Sequence, residues 1–143
     1  MLRPNQNYFE KEVLQGTSLD HIILLYGKAI NLLKQVKNAI EEGLDTPERK
    51  KIKAENLGKV VDVLVYLEAI LDLEKGREIA KNLKEIYAVL INELIKVNFS
   101  NELKVVEDSI EVLENLKKAW VDIRPSVIPN HKMAPKQALS ARP

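Results

Sequence analysis

No proline falls between Pro47 and Pro125 in this 143-residue chain. A proline inside a helix removes a backbone donor and collides with the preceding turn, costing about 3 kcal/mol or more. A stretch this long without one, in which apolar residues recur every three and four positions, is built for long helices. The residues that can start and stop helices divide it into pieces. Ser18 is placed as an N-cap with Asp20 in the first turn, and Gly43 ends the segment that carries Ile22, Leu25, Tyr26, Ala29, Leu32, Leu33, Val36 and Ile40. Thr46-Pro47-Glu48 pairs a cap with a proline at the first helical position and opens a second helix through Leu57, Val60, Val61, Leu64, Leu67 and Leu71.

The run Asp72 to Gly76 reads as a corner. A third helix then carries Ile79, Leu83, Ile86, Tyr87, Leu90, Leu94 and Val97, with Asn98 at its C-terminal end. Ser100 caps a fourth, with Leu103, Val106, Ile110, Leu113, Leu116, Trp120 and Ile123, ended by Pro125. Gly27 and Gly58 fall inside the first two helices, where they suggest close helix approach. Four long helices with short connections predict an all-α, antiparallel, up-down-up-down four-helix bundle. The expected organisation is an N-terminal arm over 1–17, a bundle over 18–124, and a proline-containing tail over 125–143 too polar to order by itself.

Composition narrows the function classes. The 22 basic and 21 acidic residues leave a formal charge of +1, which gives no global attraction to nucleic acid or anionic lipid. Cysteine is absent, so no thiolate or disulfide chemistry operates. Neither a signal-peptide pattern nor an apolar run long enough to cross a bilayer is evident, so a soluble, intracellular protein without membrane insertion is expected. His21 and His131 do not stand at metal-ligand spacing, and the helical Glu-x-x-His pattern of di-iron bundles is missing, so no metal or cofactor is expected. Ser18 reads as a cap rather than a nucleophile, Arg49 to Lys53 as a solvated helix start, and Trp120 as a core plug. Glu68 stands within an apolar stripe, where a lysine partner or an edge position would relieve its burial. With no acid-base pair or ligand cluster, an enzyme is not expected.

Two helices carry more apolar surface than a small bundle needs. With residues spaced by about 100° around a helix axis, Val63, Tyr66, Ile70 and Ile52 extend the stripe of the second helix around one side. Val105, Val112, Leu116 and Ile123 form a similar flank on the fourth helix. Two readings stay open: a groove that accepts amphipathic segments of another chain, or flanks covered by neighbouring helices and by the arms.

The motif order resembles the bacterial flagellar export chaperone family, the flagellin-specific chaperones. The matching pieces are Leu25-Tyr26-x-x-Ala29-Ile30, then Leu71-Asp72-x-Glu74-x-Gly76-x-Glu78-Ile79-Ala80-x-Asn82-Leu83-x-x-x-Tyr87, then Leu113-x-x-Leu116-x-x-x-Trp120, within a likeness spanning Tyr8 to Ile123. The resemblance implies a non-enzymatic bundle that binds the C-terminal region of flagellin in the cytoplasm, prevents its premature polymerisation and hands it to the flagellar type III export apparatus. The export gate is a further candidate partner. Asn7-Tyr8 resembles the family's N-terminal segment, which implies that Tyr8 is a cap over the groove or a client contact. Client contact is accordingly expected at Tyr8, Ile52, Val63, Tyr66, Leu67 and Ile70, and a structural role at Tyr87. Gly76 is expected to adopt a corner conformation that a side chain would resist. This chain departs from the family's pattern in Thr17-Ser18-Leu19 before the first helix, in Gly27, and in Phe99. The competing reading is a helical adaptor or homodimerising bundle whose extra apolar face serves self-association.

Overall fold

The computed structural model describes residues 17–123. They form four helices, α1 (Leu19–Glu42), α2 (Pro47–Ala69), α3 (Leu73–Ser100) and α4 (Leu103–Ile123), and no strand occurs among the described residues. The protein is all-α, as the sequence predicts. Tyr8 and the rest of the arm before Thr17, and the tail from Arg124 onward with His131, lie outside the described residues.

Side-chain pairs give the directions of the helices. Lys53 of α2 meets Asn98 of α3, and fifteen residues further along α2, Glu68 meets Lys84, so the partner number falls as the first rises. Lys34–Glu114 and Lys37–Glu107 show the same antiparallel run for α1 against α4, and His21–Tyr66 and Asn56–Gln35 for α1 against α2. Helix α1 therefore lies between α2 and α4, with α3 closing the fourth side. The α3–α4 side is the least closely packed of the four.

The ends obey local chemistry. The Ser18 hydroxyl accepts the His21 N–H at 3.1 Å, and Thr46 accepts that of Arg49 at 3.2 Å, satisfying donors a helix N-terminus leaves open. Gly43 ends α1 at φ 101°, a conformation open to glycine and costly for residues with a Cβ. Two boundaries differ from the expectation. Helix α3 continues past Asn98 to Ser100, and the left-handed cap is Asn101 at φ 56°, while the Ser100 hydroxyl accepts the Glu102 N–H. At the other end, Asp72 caps a single helical turn, Leu73 to Gly76, before Arg77 breaks the helical path at φ 52°, ψ −126°.

The corner thus corrects the role expected of Gly76. That glycine is buried inside the first turn, and the residue with positive φ is its neighbour Arg77. A non-glycine residue held there stores roughly 1–3 kcal/mol. Arg77→Gly should therefore stabilise the fold by about 1 kcal/mol after glycine's extra unfolded-state entropy is subtracted. Urea denaturation should show a higher midpoint at unchanged slope.

The interior glycines are not close-approach positions for another helix. A Cβ placed on Gly58 would meet nothing within 4 Å, and one on Gly27 would meet only the end of the Lys117 side chain. Gly58→Ala should raise stability by about 0.5–1 kcal/mol, the ordinary helix-propensity difference, readable as a rise in melting temperature by circular dichroism.

A buried hydrogen-bonded cluster ties three helices together. The hydroxyls of Tyr26 on α1 and Tyr87 on α3 bond to each other, and the Trp120 indole on α4 donates to the Tyr26 oxygen at 3.0 Å. All three side chains are buried. Burial raises the Tyr26 phenol above its ordinary pKa, against the opposing pull of its bonds with Tyr87 and Trp120. Tyr87 is raised too, by burial first and by Tyr26 second. Both remain neutral phenols at physiological pH.

Lys53 also differs from the expectation of a solvated helix start. It is 8 % exposed, and its ammonium donates to the Asn98 carbonyl at 3.0 Å and to the Asn101 side chain. Its charge sits on the C-terminal end of α3, where backbone carbonyls lack helical partners. Desolvation lowers its pKa. Glu68, by contrast, meets Lys84 at 3.8 Å on the α2–α3 edge, the relief expected for it.

Candidate functional site: apolar grooves between the helices

The phase of each helix is fixed by its partners. On α4, Glu107 and Glu114 face α1, and the core stripe runs through Val106, Ile110, Leu113 and Trp120. Stepping on by about 100° per residue, the far flank of that stripe, Val105, Val112, Leu116 and Ile123, faces α3. On α3, Lys84 and Asn98 face α2 and the core stripe carries Leu83, Tyr87, Leu90 and Leu94. Its far flank, Ile79, Asn82, Ile86 and Val89, faces α4 by the same construction. In the antiparallel register these residues lie side by side from Ile79 and Ile123 at one end to Val89 and Val112 further along.

The two flanks are not fully shut against each other. Val105, Val112, Leu116, Ile123 and Ile86 are partly buried against the core, whereas Ile79 is exposed and Val89 is 60 % exposed. Together with the sparse α3–α4 approach, this makes an open apolar seam. Such a seam suits an amphipathic segment of another chain, whose apolar side would complete a face that α3 and α4 leave unfinished.

The α2 residues singled out from sequence divide into two groups. Val63 and Leu67 belong to the core, with Leu67 only 1 % exposed, because α2 packs against both α1 and α3 and buries a wider arc than a helix with one neighbour. Ile70 is partly buried against the core, and Ile52 and Tyr66 are exposed. Tyr66 is 42 % exposed, and its ring stands edge-on to that of His21, with centroids 6.1 Å apart. The accessible part of the α1–α2 flank is therefore Ile52, Tyr66 and Ile70.

Sequence reasoning missed Val89 and placed Ile79 in the core stripe. The available signal was the Ile79, Ile86, Val89 spacing, which at about 100° per residue sits to one side of Leu83, Leu90 and Leu94. Phe99 is a further exposed apolar residue, 86 % exposed near the end of α3. A shallow groove of about 620 Å³ also runs along the outer face of α1, with exposed Leu24 beside Ile23, Gly27 and Asn31. Among the described residues, no group of three His, Cys, Asp or Glu side chains could hold a metal ion, and no helix is long and apolar enough to cross a membrane.

Comparison with known proteins identifies the lineage of this bundle. The family described as flagellar protein FliS matches residues 1–127. The chain belongs to that family. It is 35% identical over 102 residues to the flagellar secretion chaperone FliS of Vibrio cholerae, covering 71% of each chain. Over 117 residues it is 32% identical to the flagellar secretion chaperone FliS of Salmonella typhimurium, covering 81% of this chain and 83% of the relative. Over 120 residues it is 29% identical to flagellar secretion chaperone FliSB of Pseudomonas aeruginosa. These relatives are named as chaperones rather than enzymes. In this FliS-family chain, Tyr26, Tyr87 and Trp120, one from each of the three motif pieces quoted above, meet in the buried cluster. These residues are buried and tie α1, α3 and α4 together.

Proposed function

We propose that the protein is a cytoplasmic chaperone of flagellar export that binds the C-terminal segment of flagellin, keeps it from polymerising and passes it to the type III export apparatus, whose export gate is a further partner. Membership of a family whose relatives are named flagellar secretion chaperones supports the class. The open apolar α3–α4 seam is the observation that carries client binding. A flagellin segment without stable structure of its own would fold as it covers the seam and the flank of Ile52, Tyr66 and Ile70, gaining apolar burial against an ordering cost. Val63 and Leu67 support that flank from beneath, and Tyr8 is assigned to client contact or to covering the flank when no client is bound.

Calorimetric titration of the full chain with a peptide from the C-terminal end of the cognate flagellin tests the proposal. One-to-one binding with a large negative heat-capacity change is expected. A folded, monodisperse protein that takes up no peptide would overturn it. Self-association in light scattering would then favour the homodimerising bundle.

A further inference from the structure

The shallow groove on the outside of α1 belongs neither to the seam nor to the core. Contacts already described place its walls. His21 and Gln35 touch α2, and Lys28 stands seven residues from each, so it lies on the α2 edge of α1. Lys34 faces α4, and Gly27, seven residues earlier, lies on the α4 edge beside Lys117. Leu24 and Asn31 run along the crest between the two edges, and Leu24 is 68 % exposed. The bundle itself has no need of glycine at position 27. Its φ is not positive, and a Cβ there would meet only the end of the Lys117 side chain, so alanine would suit the helix better. The missing side chain instead opens a groove of about 620 Å³ beside Leu24, with Ile23 and Leu32 partly buried at its walls.

The charge lining this groove has one sign. Lys28 and Lys117 both line it, and neither enters an ion pair among the described residues. From His21 to Ile40, α1 contains no acidic residue, and Asp20 lies in the first turn, before the lining begins. The acids that α4 turns toward α1, Glu107 and Glu114, are held by Lys37 and Lys34, and Asp122 is held by Lys118. On the α1 side of α2, Lys59 and Asp62 stand at helical spacing from Asn56 and Tyr66 and offset each other. Glu111 of α4 enters no ion pair among the described residues but is not part of the lining. An excess of cations therefore remains at the groove itself.

We propose that this groove is a second docking site, which takes an acidic amphipathic helix of a protein partner other than the client. The backbone of α1 is satisfied internally and offers nothing to an added strand, whereas a helix brings its own hydrogen bonds and packs by side chains alone. An apolar residue of that helix enters the opening at Gly27 against Leu24, and carboxylates to either side of it reach Lys28 and Lys117. Because α1 packs on α2 and α4, its crest points away from α3, so groove and seam can be filled together. A second copy of this chain is a poorer occupant. Its acidic helix is α4, and the one large apolar residue exposed on that helix among the described residues is Val121, remote from Asp108 and Glu111. An anionic membrane asks for a broader basic cluster, of about four to eight cations.

The test uses two synthetic helical peptides that share one leucine stripe, the first flanked by glutamates and the second by lysines, each titrated into the isotope-labelled full chain. The glutamate peptide should shift the amide resonances of Leu24, Gly27, Lys28, Asn31 and Lys117 and leave those of Val89 and Val112 in place. Lys28→Glu with Lys117→Glu should weaken its binding about ten-fold and admit the lysine peptide instead. Gly27→Leu should fill the opening and abolish binding at an unchanged or higher melting temperature, which separates a blocked site from a damaged fold. No shifts at millimolar peptide, equal uptake of both peptides by the native chain, or shifts confined to the seam would each overturn the proposal. So would concentration-dependent shifts at the groove without peptide, which assign it to a second copy. Binding to phosphatidylserine vesicles that the charge-reversed variant loses would assign it to a membrane and overturn the proposal as well. The titrations contain no flagellin sequence, so their outcome is separate from that of the client reading.

Discussion

Val89→Lys should weaken binding of a flagellin C-terminal peptide by about 100-fold or more while leaving the helical circular dichroism and the melting temperature of the free chain nearly unchanged. Val89 is more than half exposed, so a lysine there meets water in the free protein and disturbs no core contact. In a complex that covers the seam the same ammonium would have to lose its hydration between Val112 and a client side chain. An uncompensated buried cation costs several kcal/mol, and about 2.8 kcal/mol already corresponds to 100-fold in Kd. Titration calorimetry reads the loss directly. Tyr66→Lys serves as the comparison on the α1–α2 flank. If Val89→Lys binds normally and Tyr66→Lys does not, the client lies on that flank and the α3–α4 seam is not part of its site.

The helices were legible in the sequence because their punctuation is chemical. Ser18, Gly43, Thr46-Pro47 and the proline-free interior each act over a few residues, and the side-chain hydroxyls of Ser18 and Thr46 sit where a cap requires. The α3 terminus was misplaced for a local reason. Asn98 and Asn101 are equally suited to a left-handed cap, and the choice of Asn101 coincides with a distant bond, its side chain accepting from Lys53 on α2. The break at Arg77 was hidden similarly, since glycine is the expected carrier of positive φ and Gly76 stands immediately before it.

The binding face was legible only in part. An apolar arc shows how much of a helix avoids water, but not how many neighbours share it. Helix α2 has two close neighbours, so Val63 and Leu67 were absorbed into the core. Helix α4 has one close neighbour in α1 and a looser one in α3, so its similar excess stays at an open seam. Neighbour number is a property of the assembled bundle.

Tyr26→Phe should destabilise the fold by about 2–4 kcal/mol, more than Tyr87→Phe at about 1–2 kcal/mol, although both remove a single oxygen. The Tyr26 oxygen accepts from the Trp120 indole and is bonded to the Tyr87 hydroxyl, so its loss withdraws a partner from two buried polar groups. Each such loss costs roughly 1–3 kcal/mol because neither group can turn to water. Urea unfolding followed through the fluorescence of Trp120, the single tryptophan, reports on this cluster itself. Equal losses for the two variants would show that the Trp120 bond contributes nothing. The same cluster sets the alkaline limit of the fold. Because burial raises the pKa of both phenols, the unfolded chain releases these protons first, near the ordinary tyrosine value of about 10. Stability is complete below that pH and falls as pH rises beyond it. The tyrosinate absorbance of Tyr26 and Tyr87 should then appear together with unfolding, and Tyr26→Phe, with one buried phenol fewer, should show a shallower loss of stability with pH above 10.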